Sequence, residues 1–419
     1  MTDNGLAHLG RAKLAQLGRE YMAAAQFNSR TGYAALRMNR GEDAYRTVAI
    51  DNWMAASPIY TRRMQRAMGF AGGDDVATIF KGLQLECGLA HQYFNAHFAV
   101  DSPHSGRFWL ESCGPLLETE PRGEDAVRVM CHDIEDPTFD ATAIATNPRA
   151  RMRPVHRPPR RPADRKPHCE WQVFIDPAAR PLAEPEVSRT LRRCALAGLE
   201  ISRPPEAGEP GGMDWYDGNV QDQLHLEQLS HPALVVVCKE LALQNHLLIK
   251  GFTMVVESLY GRAAAQAVAE FQMTGSAWVM ARRLAQWAGW EDGGIDAVIA
   301  VLAVHPLFQP LEYQAIRLQR VDEFTARVVV PGPAQADHEF LSWLTLLDQG
   351  FTAGLASLVR GVDPRAGCRR AAAGDSGWII EITPGSEPVQ EPLSVQIATG
   401  TVLYQTRFRD RLPVLEVLA

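Results

Sequence analysis

The sequence predicts an α+β fold of two tandem repeats, each a set of helices followed by a small antiparallel sheet, packed together as a pseudo-dimer. Three observations predict it. The same landmarks recur in the same order in both halves of the chain. The strand-like stretches come as hairpins rather than as alternating β and α segments, which excludes a parallel βαβ array. A thiol- and imidazole-rich cluster is present in the first half and missing from the second.

The landmarks open with Met68-Gly69-Phe70 and Asp74-Asp75-Val76-Ala77, which lead into an apolar helix as do Ala288-Gly289-Trp290 and Ile295-Asp296-Ala297-Val298. Residues 93–100 alternate as a strand does, turn at Ser102-Pro103 and return over 107–112; residues 313–320, Val321-Asp322 and 324–330 repeat that hairpin. A helix follows each hairpin, marked in the second half by Leu344, Leu347, Phe351, Leu355 and Leu358 at helical spacing, and Asp136 and Phe139 match Asp348 and Phe351. A closing strand, His168 to Ile175, matches Asp375 to Ile382. The offset between partners shrinks along the chain, as small insertions in the first copy produce. The boundaries that follow are a first repeat at 1–200, a linker at 201–222 containing the turn-rich run 211–219, and a second repeat at 223–419.

A chain of 419 residues can bury two or three cores. Its net charge of -7 gives no electrostatic reason to expect nucleic acid or an anionic membrane as partner. The first residues lack the apolar core of a secretory signal, so the expected location is the cytoplasm. The most apolar stretch, 234–256, is interrupted by Lys239, Glu240, Asn245, His246 and Lys250 and reads as a buried helix. Seven cysteines, an odd number spread over a large chain, argue against a disulfide framework. The Pro- and Arg-rich region 147–167 reads as a connection or exposed arm, with a basic flap over an anionic substrate as the alternative. Trp278, Trp287, Trp290 and Trp343 read as core of the second repeat, and His225, His231, His246, His305 and His338 fit no metal spacing.

The candidate site lies at three places in the first repeat. Cys113 ends a hairpin strand before Gly114-Pro115; Cys131, His132 and Asp133 stand in an acidic segment with Glu135 and Asp136; His168 and Cys169 begin the closing strand. Asp136 and Pro137 read as the cap and first residue of a helix. If the three places converge, one reading is a Cys thiolate, Cys113 or Cys131, with His132 as base and Asp133 or Asp136 as its orienter. The other is a divalent metal such as zinc held by Cys113, Cys131 and Cys169 with His132 or His168, although no Cys-x-x-Cys spacing supports it. Cys87 and His91 are set to share a helix face, most simply as packing.

Glu111-Ser112-Cys113-Gly114-Pro115, Cys131-His132-Asp133, Asn147-Pro148-Arg149, Asp164 and His168-Cys169-Glu170-Trp171 together resemble the L-2-amino-thiazoline-4-carboxylate hydrolase-like family. The second half resembles a degenerate copy through residues 347–354, Cys368 and Gly374-Asp375. The likeness implies a cysteine-dependent hydrolase opening a C–N bond or small ring, with Cys113 and Cys131 as nucleophile and partner, and a monomer with pseudo-twofold repeats or a homodimer. A metal- or small-ligand-binding sensor using the same cluster is the competing expectation. Gly114, the Pro/Arg insertion and the tandem copy depart from the family pattern.

Overall fold

Small residues decide how the first helix packs. The helix α1 (Arg11–Arg40) carries Ala23-Ala24-Ala25 at its middle and Gly18 and Gly32 on faces where neighbours come close. A methyl group at Gly18 would sit 2.8 Å from the end of the Leu226 side chain and one at Gly32 2.7 Å from the Gln272 amide, so a side chain at either position would push its neighbour aside. Gly41, at φ 85°, turns the chain into α2 (Glu42–Ala67), and Asp75 caps α3 (Val76–Gln84) by accepting from the Thr78 N–H.

The hairpin β1 (Phe94–Ser102) and β2 (Ser105–Cys113) leads through α4 (Gly114–Thr119) to α5 (Glu124–Arg128). A π-helical turn, Val129–Ile134, joins α5 to α6 (Glu135–Ala143). The helix therefore starts at Glu124 and not at the expected Asp136-Pro137. Pro137 has no N–H and its ring crowds the carbonyl of Asp133, and the wider turn immediately before it absorbs that misfit.

The chain returns as β3 (Ala150–His156) and β4 (Cys169–Ile175) in a four-stranded antiparallel sheet of order β1-β2-β4-β3. β3 lies inside the stretch expected to be irregular. Its place at the sheet edge allows Pro154, opposite Trp171, to lack a donor. The residues after β3 then cross the 124–143 helix as a strap: Arg157 pairs with Asp136, Arg160 with Glu120 and Arg161 with Glu124. These arginines face carboxylates of the protein itself.

After α7 (Glu186–Leu191) and a largely irregular stretch, α8 (His231–Tyr260) and α9 (Arg262–Ala288) are joined at Gly261, whose φ of 83° repeats that of Gly41. Then come α10 (Ile295–Val304), β5 (Arg317–Arg320), β6 (Thr325–Val329), α11 (Trp343–Asp348), α12 (Thr352–Val362), β7 (Ala366–Arg370) and β8 (Gly377–Ile382). The second sheet has the order β5-β6-β8-β7. β7, with Cys368, is an edge strand that the sequence pattern did not announce.

The structure is a computed structural model that describes residues 5–314, 316–329, 339–371 and 377–405. His338 and the proposed counterparts Val330, Pro331, Gly374, Asp375 and Ser376 lie outside the described residues.

The fold is thus mixed α and β with two small antiparallel sheets. Helices α1, α2, α8 and α9 share one apolar core, and the first sheet builds a second around Phe108, Trp171 and Val173. As expected, 234–256 is buried helix, and its polar interruptions are satisfied inside: Glu240 by Arg63, Asn245 by Asn28 and the Tyr21 carbonyl, and Lys250 by the Phe340 carbonyl. Two bidentate ion pairs cross the core. Arg283 of α9 grips Glu20 of α1 at 2.6 and 2.7 Å, and Arg63 of α2 grips Glu240 of α8 at 2.8 Å twice. Each joins a helix of one half to a helix of the other.

Candidate functional site

Polar residues on two buried helices face a cavity. On α1, Gln26, Ser29, Arg30 and Tyr33 follow the i, i+3, i+4, i+7 spacing of one helix face, and on α2 Tyr45, Ala49, Trp53 and Tyr60 do nearly the same. The 3₁₀ turn Cys87–Leu89, the base of the first sheet and the 124–143 helix close the space with Glu86, Leu89, Phe94, Leu110, Glu135 and Phe139. The space has a volume of about 130 Å³. A cavity of roughly 150 Å³ holds benzene, so the space suits one small ring with short polar substituents.

Two carboxyls dominate its chemistry. Glu86 is 5% exposed, its Oε2 has no partner among the described residues, and burial raises its pKa to about 8. Its loop is fixed from both halves: Gln26 Nε2 donates to the Cys87 carbonyl at 3.0 Å, and Gln244 of α8 accepts from the Cys87 N–H at 2.8 Å and donates to the Leu85 carbonyl at 3.1 Å. Glu135 opens onto the cavity but is otherwise enclosed by protein. Burial raises it to about 8, Arg157 opposing and Asp136 adding to the shift. Both groups hold a proton at neutral pH and can act as acids.

Arg30 supplies the cation. Burial works against its charge, but Tyr93 and Glu118 more than offset that, with Nε donating to Glu118 at 2.7 Å and Nη2 to the Tyr93 hydroxyl at 2.9 Å. Its Nη1 has no protein partner among the described residues and is free to meet a ligand carboxylate. Tyr93 is held in place by a close approach, since a methyl group at Gly114 would fall 2.1 Å from its ring. Tyr33 and Tyr45 pack with ring centres 5.3 Å apart, and burial keeps Tyr33, Tyr45 and Tyr60 protonated.

The three places singled out in the sequence contribute Cys113, Cys131 and Cys169 to one apolar core, and Glu135 lies near enough to act on all three. Once ionised, Glu135 raises the pKa of Cys113, Cys131 and Cys169, and Cys113 adds to the shift of the other two. The cysteines sit in the core of the first sheet and do not line the cavity. Burial and Glu135 push Cys113 up to about 12, and burial pushes Cys131 and Cys169 well above the ordinary thiol range.

The expected base and orienter are directed elsewhere. Successive residues of a helical turn point apart, so His132 donates from Nε2 to the Pro158 carbonyl at 2.7 Å, and Asp133 is exposed and pairs with Arg46 at 3.4 Å. His168 Nδ1 accepts from the Cys113 N–H at 3.1 Å, and Arg160 faces its Nε2 at 3.3 Å. Burial and Arg160 lower its pKa to about 4, leaving it neutral. A metal fares no better. Among the described residues no group of three or more His, Cys, Asp or Glu is placed to hold an ion. The imidazoles face protein groups, and Arg160 opposes a second cation beside His168. Cys87 and His91 do not share a face either, because the chain there is a 3₁₀ turn and His91 Nε2 bonds the Gln84 carbonyl.

With all seven cysteines free and these thiols buried and protonated, iodoacetamide at pH 7 is expected to label native Cys113, Cys131 and Cys169 far more slowly than an unfolded thiol. Peptide mapping by mass spectrometry checks it, and fast labelling at one of them would restore the thiolate reading.

No family model, no curated protein and no solved structure matches the chain. The likeness to the amino-thiazoline hydrolase-like family therefore rests on the short motifs alone.

Proposed function

We propose that the cavity binds a small ring bearing an amidine-like or amine nitrogen and a carboxylate, and that the chain hydrolyses a C–N bond of that molecule. The carrying observation is a pair of buried, protonated carboxyls, Glu86 and Glu135, that line one small cavity together with Arg30. When a cationic nitrogen binds, one carboxyl gives its proton up to bulk water, and the resulting carboxylate then takes a proton from the attacking water. The water oxygen bonds to the ring carbon, the electrons of the breaking bond go to nitrogen, and the carboxyl still protonated supplies that nitrogen with its proton. Arg30 holds the substrate carboxylate. No cysteine lines the cavity, so the carboxyls and not a thiolate carry the step.

An amino-thiazoline carboxylate is the probe. The expected result is a product heavier by one water, with turnover reduced at least 100-fold in Glu86→Gln and in Glu135→Gln and retained in Cys113→Ala. Turnover that survives both Glu variants and dies with Cys113 would overturn the reading. Binding without turnover would instead mark a small-ligand sensor, a reading favoured by the absence of any cysteine among the residues lining the cavity.

We also infer that the chain arose by internal duplication and is built as a pseudo-twofold dimer of 1–200 and 223–419. Glu20 stands to Glu240 as Arg63 to Arg283 and Gly41 to Gly261, at one constant offset, and the two sheets share one strand order. In this reading each copy lends its first helix to the second helix of the other, and the cavity belongs to the first copy.

A further inference from the structure

We infer that the groove at the C-terminal end of α2 is a second ligand site, separate from the cavity, for the phosphate group of a small anionic molecule. The groove has a volume of about 530 Å³ and is walled by the end of α2, the 71–74 loop, the end of α6 and Arg192. That volume lies within the range of about 300 to 1,000 Å³ typical of small-molecule sites.

Its charge is in surplus. Of its four arginines, Arg63 is neutralised by Glu240. Arg62 and Arg192 both turn to the same oxygen, Oε1, of Glu184, so two guanidinium groups share one carboxylate atom. Arg66 is exposed and has no hydrogen-bond or ion-pair partner among the described residues. Asp74 at the rim is the only carboxylate among the residues lining the groove, which leaves a net positive charge. Burial lowers the pKa of Arg62, and burial and then the neighbouring Arg62 lower that of Arg192.

Neutral donors complete the set. Gln65 reaches Thr146 across the floor at 2.7 Å, and the backbone N–H groups of Gly72 and Gly73 donate to no protein group among the described residues. Gly72, at φ 94°, has open space where a side chain would be. Several forked guanidinium groups beside free backbone N–H groups fit the tetrahedral oxygens of a phosphate better than a single planar carboxylate.

Inorganic pyrophosphate titrated calorimetrically into the full chain at low salt tests the site. The expected result is saturable binding to one site, weakened at least tenfold by Arg66→Gln and by Arg192→Gln and unchanged by Arg203→Gln, an exposed arginine elsewhere. Both groove variants alter exposed side chains, and an unchanged melting temperature confirms that they fold. Absence of saturation, or equal weakening by Arg203→Gln, would overturn the assignment. The cavity reading does not depend on the outcome, because no residue lines both spaces.

Discussion

Arg283→Met is expected to destabilise the protein by about 3 to 5 kcal/mol, because it leaves the Glu20 carboxylate buried without its cation. Both side chains are only 3% exposed, so water cannot replace the lost partner. Arg63→Met is expected to do the same to Glu240, at 1% and 2% exposure. The double variant Glu20→Met/Arg283→Met should recover most of the loss, since a well-packed apolar pair avoids the desolvation of both charges. Urea denaturation of the single and double variants measures it. A single variant with an unchanged midpoint would show that the pair does not hold α1 to α9.

The carboxyls of the cavity act in the opposite sense. A carboxyl raised from 4.5 to about 8 binds its proton more tightly in the folded chain, so stability falls as pH rises from about 4.5 through about 8 and is unaffected below that window. At pH 7 the loss at Glu86 amounts to about 3 kcal/mol. Glu86→Gln is therefore expected to raise the melting temperature at pH 7, to change little at pH 4, and to flatten the pH dependence between them. Glu135→Gln should behave alike, and because both groups face one cavity the two effects need not add. A Glu86→Gln variant less stable than the native chain at pH 7 would contradict the assignment.

Much of the fold was legible in the residues because period-2 alternation and turn chemistry are local. The first hairpin, the closing strands and the buried character of α8 all follow from patterns a few residues long. β3 was not legible, since Pro154 and two arginines in a seven-residue strand are tolerated only where the sheet ends, which tertiary structure alone decides. The π-helical turn before Pro137 was hidden for a similar reason: Asp136-Pro137 makes a good helix start, and packing extended the helix backwards past it.

The site was half legible. Cys113, Cys131 and Cys169 stood out because thiols are rare; their burial in the core of the first sheet is set by tertiary packing, which no local pattern announces. Glu135 was visible as one carboxylate among several, with nothing local to distinguish it. Glu86, Arg30 and the three tyrosines were missed. For Arg30 and Tyr33 the signal, polar residues at i, i+3, i+4 and i+7 on a helix of small residues, becomes informative only once that face is known to be buried.

The central claim is that two carboxyls holding protons at neutral pH form the wall of a ligand site. Benzamidine, a ring of suitable size carrying an amidinium, is the direct probe, titrated calorimetrically at pH 7 in buffers of different ionisation enthalpy. Binding is predicted to release protons, because the cation is met by a carboxylate that was a carboxylic acid in the free protein, and the release should shrink in Glu86→Gln and in Glu135→Gln. Binding with no proton release, or release unaltered in both variants, would contradict the account.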